Sequence, residues 1–338
     1  MEYDDWIFES IQKYKNLSIY DMQQCVTAMD WVSRKSLCVG TSTGHKHEIL
    51  ELTLPEKMLE STDEGKLKKD RDFRVHTGGF CKSQVTDIKH IQDTRYCVTA
   101  TEGDTSVSIW KMGDSDTDLM QEEKTVHAVN STSHPTKISV HSEDGTDTGI
   151  AFGSSLNNIT VLDAGRFEKI RDCSGDIYKC DLRCEKVNVT CCQSVERKQQ
   201  GYWTISKLND QSDSMFLAST LGDIVVIDSR FMEKCVKKTN IRNGQKGNAN
   251  YFCFQGSPDS SRISVSGLDG MVYIYNSPEK TNDEILEPVF VHEGHVRNCE
   301  SQSESVTVVQ HMWYPWQQDL IISTATDSSL HAWQYNPS

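Results

Sequence analysis

Cysteine and histidine carry most of the chemistry this sequence could do. Cys173, Cys180, Cys184, Cys191 and Cys192 lie close together. Structural zinc takes thiolates in close pairs such as C-x2-C. Here six, three and six residues separate the first four, and the adjacent Cys191 and Cys192 would face opposite sides of a strand. They read as buried or incidental thiols, with zinc the minor alternative. His45 and His47 share one face of an expected strand, but no third ligand stands near them in sequence. His292 and His295 precede a variable loop and read as strand-start histidines that bond a turn. There is no G-x-S-x-G, no P-loop and no G-x-G-x-x-G. A Ser-His-Asp triad is set by geometry, and spacing selects none here. No catalytic residue, metal or cofactor is expected.

What the spacing does organise is a repeat. Val306–Tyr335 reads as three short strands, Val306–Trp313, Leu320–Thr324 and Leu330–Tyr335, parted by turns at Pro315 and Asp327. Asp327 stands six residues before Trp333. Asp104 precedes Trp110, and Asp269 precedes Tyr275, by the same interval. Two further units keep Leu162 and Ile227 at the apolar position but place Leu156 and Leu221 where the Asp stands. The strands SVSIWK, NITVLD, DIVVID, MVYIYN and SLHAWQ align, each after a small-residue stretch. An Asp at that point can hold the turn and accept hydrogen bonds from nearby backbone or a neighbouring His. Units of about 40–60 residues with four short strands are the signature of a β-propeller blade. One twisted meander cannot bury both its faces, and stacking blades face to face does so.

Other elements flank these. Asp4 to Tyr14 has Trp6, Ile7, Ile11 and Tyr14 at helical spacing, with Asp4 as a cap. This helix reads as a lid, or else as a docking peptide with Trp6 and Phe8 as contacts. Leu17–Met22 is expected to supply the outer strand that latches the last blade. Val26–Val32, Ser36–Thr41 and His47–Leu54 form a first meander. Phe73–His76 leads the second, and Thr125–Val129 opens the third. Glu56–Asp72, with Lys66, Lys68, Lys69 and Arg71, is a solvated loop, and Gly113–Glu123 is an acidic one. The interval from Leu162 to Ile227 is long for one blade and short for two. It holds two opening strands, Lys179–Leu182 and Asn188–Cys192, then Gly201–Leu208, without a closing strand of the usual kind. Trp313, Tyr314 and Trp316 cluster around Pro315. Trp313 suits the core between blades, and Trp316 and Tyr314 are candidate partner contacts, since aromatic anchors favour binding hot spots.

Composition narrows the class of partner. The chain has 338 residues and a formal charge of −14, spread along its length. Nucleic acid and anionic membrane surfaces are therefore poor partners. The N-terminus has acidic residues before its apolar ones and no h-region, so no signal peptide is expected. No run approaches the ~18 apolar residues of a membrane helix. The 12 cysteines are expected to be reduced, in cytosol or nucleus, and the sequons at Asn16, Asn130, Asn158 and Asn188 are chance matches.

The closing Trp, the Asp-bearing turns and Gly294-His295 resemble the WD-repeat family, although no blade ends in a literal Trp-Asp pair. DRDFRVHTGGF, DIKHIQDTRYCVT, VFVHEGH, ATDSSLHAWQY and the opening DDWIFESIQKY extend the resemblance over nearly the whole chain. The region after Cys192 departs, being shorter by a hairpin or more. The resemblance implies an all-β, seven-bladed WD-repeat β-propeller at 17–338 with a degenerate fourth blade, after a helix at 1–16. It implies a non-catalytic protein-interaction scaffold, cytoplasmic with spindle-pole and nuclear association. Its implied partners are the RNA endonuclease subunits of the Integrator complex and microtubule or spindle factors, tubulin among them. Asp104, Trp110, Asp269, Tyr275, Asp327 and Trp333 would then be structural blade residues. The second reading is a propeller enzyme or small-ligand binder that uses a central channel.

Overall fold

The computed structural model describes residues 10–59, 72–113, 119–127, 136–143, 147–154, 159–163, 168–173, 203–207, 214–228, 230, 235–241, 251–280, 283–297, 306–317 and 319–336. The chain forms two compact units, Gln24–Asp176 and, discontinuously, Met1–Gln23 with Ile177–Ser338. Residues 10–13 are helical, and Tyr14 already begins β1 (Tyr14–Asp21), so the expected N-terminal helix gives way to strand earlier than read. The rest of that helix, with Trp6 and Phe8, lies outside the described residues.

Gln24–Asp176 holds three four-stranded antiparallel sheets in simple meander order. The first contains β2 (Cys25–Ser33), β3 (Ser36–Ser42), β4 (His47–Thr53) and β5 (Arg74–Cys81). The second contains β6 (Val85–Ile91), β7 (Tyr96–Thr101), β8 (Val107–Lys111) and β9 (Gln121–Val126). The third contains β10 (Lys137–Glu143), β11 (Asp147–Gly153), β12 (Ile159–Asp163) and β13 (Glu168–Cys173).

The other unit holds three more sheets. One contains β14 (Trp203–Lys207), β15 (Ser214–Ser219), β16 (Asp223–Asp228) and β17 (Cys235–Ile241). The next contains β18 (Cys253–Gly256), β19 (Arg262–Ser266) and β20 (Val272–Asn276). The chain then detours. β21 (Ile285–Leu286) joins β17 in parallel as a fifth strand, and β22 (Phe290–His292) returns to pair with β20. The last sheet contains β23 (Val308–Trp313), β24 (Leu320–Ala325) and β25 (Ser329–Tyr335), with β1 from the chain start as its outer strand.

This is the blade construction of a β-propeller, and six sheets stand among the described residues. Lys179–Leu182 and Asn188–Cys192, read as the opening strands of a degenerate fourth among seven blades, lie outside the described residues. Gly201–Leu208 contains β14, which pairs with β15 and opens that sheet. One correction to the sequence reading is of phase. Phe73–His76 and Thr125–Val129 were read as opening strands, but β5 pairs with β4 and β9 with β8, so each ends the preceding sheet.

Burial explains the strand chemistry. Every residue of β3 and of β24 is buried, because second strands are covered on both faces and edges, and such strands read as continuous runs of apolar and small residues. Outer β9, QEEKTV, is almost wholly exposed and carries no apolar alternation. Sheets within a unit pack face to face. Ile49, Cys38, Val85, Ile88 and Trp110 fill the space between the first and second sheets. Val272, Ile274, Trp313, Ile321 and Trp333 do so between the last two. Gly40 marks the closest approach: a Cβ there would lie 2.7 Å from the Val85 Cβ. Gly40→Ala is expected to push β3 from β6 and cost about 1–3 kcal/mol, read as a lower urea midpoint.

The first strands of neighbouring sheets are also joined by polar atoms. Asp30 on β2 accepts the His90 N–H of β6 at 2.8 Å, and Asp87 on β6 accepts the Ile138 N–H of β10 at 2.9 Å. Gln255 on β18 accepts the Trp313 N–H of β23 at 3.3 Å. A first-strand side chain thus supplies an acceptor to the next sheet's backbone three times. Buried Glu51, bound by Ser36, takes a bidentate grip from Arg95 across the first two sheets.

Candidate functional site

The polar groups that could do chemistry converge on β24, β25 and the short helix Gly294–Arg297. Three tight turns place carboxylates alike. Asp104 Oδ1 accepts the Ser106 N–H, Asp269 Oδ1 that of Met271 and Asp327 Oδ1 that of Ser329, at 2.8–3.0 Å. This is the Asx turn, in which the side chain mimics a backbone turn. The Ser106 N–H and hydroxyl hold the Asp104 carboxyl below the usual range. Where Leu221 replaces the Asp, Ser219 takes over: its Oγ accepts the N–H groups of Leu221 and Asp223.

At the last sheet these turns connect to a buried relay. Trp333 Nε1–H donates to Ser323 Oγ at 3.1 Å, and Ser323 Oγ lies 2.8 Å from His295 Nε2. His295 Nδ1 lies 2.7 Å from Ser329 Oγ, whose hydroxyl donates to Asp327 Oδ1 at 2.6 Å. The directions follow from the ends. Asp327 as a carboxylate only accepts, so Ser329 donates to it and accepts from His295 Nδ1–H. His295 Nε2 is then the acceptor for Ser323, whose oxygen receives the indole proton. Every donor has one acceptor, and His295 is fixed as the neutral Nδ1–H tautomer. Two shorter versions occur. Trp110 donates to Thr99 Oγ1 at 2.9 Å, and Trp313 donates to Ser264 Oγ, itself 2.6 Å from His311 Nε2. Tyr275 occupies the corresponding place on β20, buried and stacked on Tyr273.

A second chain enters from the N-terminal strand. The Tyr14 hydroxyl lies 2.8 Å from His292 Nδ1, and His292 Nε2 lies 3.1 Å from His331 Nδ1. The backbone N–H of Glu293 also donates to the Tyr14 oxygen. At the far end of this chain His331 Nε2 is buried without a hydrogen-bond partner among the described residues. Burial pushes all four core histidines down, His311 and His331 to about 3 and His292 and His295 well below their ordinary value. All four are neutral at pH 7.

His292, His295 and His331 are buried with nitrogens within 4.8 Å of one another, a grouping that sequence spacing did not bring together. They are poorly disposed to share a metal. A coordinated ion lies in the plane of each imidazole, because the nitrogen lone pair does. The His295 and His331 rings stack at 3.8 Å with 12° between their planes, so no point lies in both at bonding distance. Both nitrogens of His295 are already hydrogen-bonded. The other sequence candidates separate. His47 bonds Ser42, and His45 is exposed in a turn. Cys173 ends β13, while Cys180, Cys184, Cys191 and Cys192 lie outside the described residues.

The aromatic turn divides as well. Trp316 is 41% exposed, but Tyr314 is 4% exposed and meets Trp316 edge-on at 5.3 Å. Tyr314 is thus corrected from a surface contact to a support for the Trp316 ring, because its own faces are packed.

Four-stranded meander sheets closed by Asp turns and buried indole–hydroxyl–imidazole bonds define a β-propeller protein. No protein-family model matches the sequence. Curated relatives do, from end to end. Integrator complex assembly factor WDR73 of Danio rerio is 29% identical, the match covering 99% of this chain and 96% of the relative. The proteins of the same name from Mus musculus and Xenopus laevis are 28% and 26% identical, covering 98% of this chain and 97% of each relative. The chain is a homologue of these assembly factors.

Proposed function

We propose that this chain is a non-catalytic assembly factor for the Integrator complex. The observation that carries this reading is its similarity to WDR73 proteins over almost the whole length of both chains. The site chemistry agrees with it. Asp327, Ser323, Ser329, His295 and Trp333 are joined in one internal hydrogen-bonded chain, buried apart from the edge of the turn. A nucleophile must reach a substrate, and the Ser323 and His295 of this pair are sealed in. Asp30 and Asp87 likewise bond the next sheet's backbone rather than facing a ligand. The partners are proteins, with the endonuclease subunits of Integrator as the direct ones. Trp316 is a contact residue, since its exposed indole stands on a rigid turn over Tyr314. Cytoplasm and nucleus are the expected locations, and association with spindle poles and microtubules is a further part of this reading.

Depletion of the chain from cells tests the proposal. The fraction of Integrator subunits in the assembled complex should fall and return when the chain is restored, Trp316→Ala restoring it less well. An assembled fraction unchanged by depletion overturns it.

A further inference from the structure

β1 is fastened to the last sheet by a single buried side chain. It is the outer strand there, and of its eight residues only Tyr14 is buried, while Lys15, Asn16, Ile19 and Asp21 are exposed. Besides the backbone ladder with β25, polar contacts tie it at its rim. Asn16 Nδ2 donates to Gln334 Oε1 at 2.7 Å, and the Met22 N–H donates to Ser328 O at 3.0 Å. The Asn336 N–H and side-chain amide donate to Lys13 O and Gln12 O, each at 2.8 Å. A strand that buries so little opens at a lower free energy than the core it covers.

A bulge turns the one anchor inward. Tyr14 is three residues from Leu17 and in a regular strand would face away from it. The register slips at Lys15, since Tyr14 pairs with Tyr335 and Asn16 with Gln334. Tyr14 and Leu17 therefore share the side of Tyr335 and Trp333. From there the Tyr14 hydroxyl reaches His292 Nδ1 at 2.8 Å.

His292 itself is held by other elements. Its Nε2 lies 3.1 Å from His331 Nδ1, and Trp333 stacks on it at 4.4 Å. Gly294 closes over its edge, where a Cβ would lie 2.7 Å from Cε1. Departure of β1 thus bares Nδ1 and leaves the ring in place. While β1 is seated, both ring nitrogens are occupied, and a further proton enters only by breaking the bond to Tyr14 or the bond to His331. The titratable groups around the ring are Tyr14 from β1, His331 from β25 and His295 from the helix Gly294–Arg297, with Glu293 next in sequence, and β20 sets Val272 opposite. Burial, and after it the Glu293 charge, push the Tyr14 phenol up, so Tyr14 is neutral. Burial keeps His295 and His331 neutral as well.

We infer that β1 is a proton-coupled latch: its release from β25 frees His292 Nδ1 to bind one proton, so acid opens this strand ahead of the rest of the fold. Released, His292 titrates near the ordinary histidine value of about 6.5. Seated, it refuses the proton, so each pH unit below that value favours the open strand by about tenfold.

Amide hydrogen exchange of the intact chain, read by mass spectrometry and corrected for intrinsic rates, tests the latch. Protection of β1 should lie below that of β24, which is buried throughout, and should fall about tenfold from pH 7.5 to pH 5.5. His292→Gln offers Tyr14 an amide that takes up no proton, so the β1 fall should flatten. Tyr14→Phe keeps the ring and unties Nδ1, so β1 protection at pH 7.5 should drop severalfold while that of β24 holds. Should His292→Gln fail to fold, Tyr14→Phe and the wild-type difference between β1 and β24 decide. The inference is overturned by β1 protection that is level with pH, or that equals β24 throughout. It is overturned too by a tenfold fall retained in folded His292→Gln, or by β1 protection untouched in Tyr14→Phe.

Discussion

Between pH 7 and pH 5.5 the chain should lose about 5 kcal/mol of folding stability, measured as falling urea midpoints. The cause is the four buried neutral histidines, His292, His295, His311 and His331. Burial lowers each of them, with the neighbouring rings adding to the effect at His292 and His295. The sign follows from linkage. Above an unfolded value of about 6.5 neither state binds protons at these groups, and their contribution does not vary with pH. Below it the unfolded chain takes up protons that the native core refuses, so stability falls as pH falls. One pH unit below the unfolded value, each histidine costs about 1.4 kcal/mol, and a whole domain holds only about 5–15. The loss continues down to the folded values, near 3 for His311 and His331. Urea midpoints that stay level from pH 7 to pH 5.5 would mean that these rings are already charged or solvated.

Trp333→Ala should cost about 4 kcal/mol and lower the thermal midpoint accordingly. Trp333 is fully buried, stacks on His292 at 4.4 Å and sits among Tyr14, Phe290 and Tyr335. Removing an indole from such a place forfeits its transfer energy and leaves a cavity. It also removes the donor that fixes Ser323. Trp333→Phe retains most of the volume and loses only that hydrogen bond, so about 1–2 kcal/mol is expected. Trp316→Ala, at an exposed turn, should change stability little. Equal losses for Trp333→Ala and Trp316→Ala, by calorimetry or denaturant titration, would contradict the assignment of core and surface.

The blades were legible in the sequence wherever the interaction is local. The Asp at 104, 269 and 327 bonds the amide two residues on, and the apolar third strand follows at fixed spacing, so both leave a short-range pattern. Outer strands were misassigned because β9 is exposed and polar, and nothing in QEEKTV says which neighbour it pairs with. The core network was largely illegible. Tyr14 and His292 are 278 residues apart, and His292 meets His331 across 39. Only His292 and His295 drew notice, as turn-bonding residues, and His295 does reach Asp327 through Ser329.

The most direct measurement of the central claim is capture of Integrator by the tagged, folded chain from nuclear extract, with subunits quantified by mass spectrometry. Integrator subunits should be enriched over an unrelated propeller bait, and Trp333→Phe, which disturbs only the internal relay, should capture them as well as the wild type. An absence of Integrator enrichment, or a loss of capture by folded Trp333→Phe, would contradict the account of a structural relay inside an Integrator assembly factor.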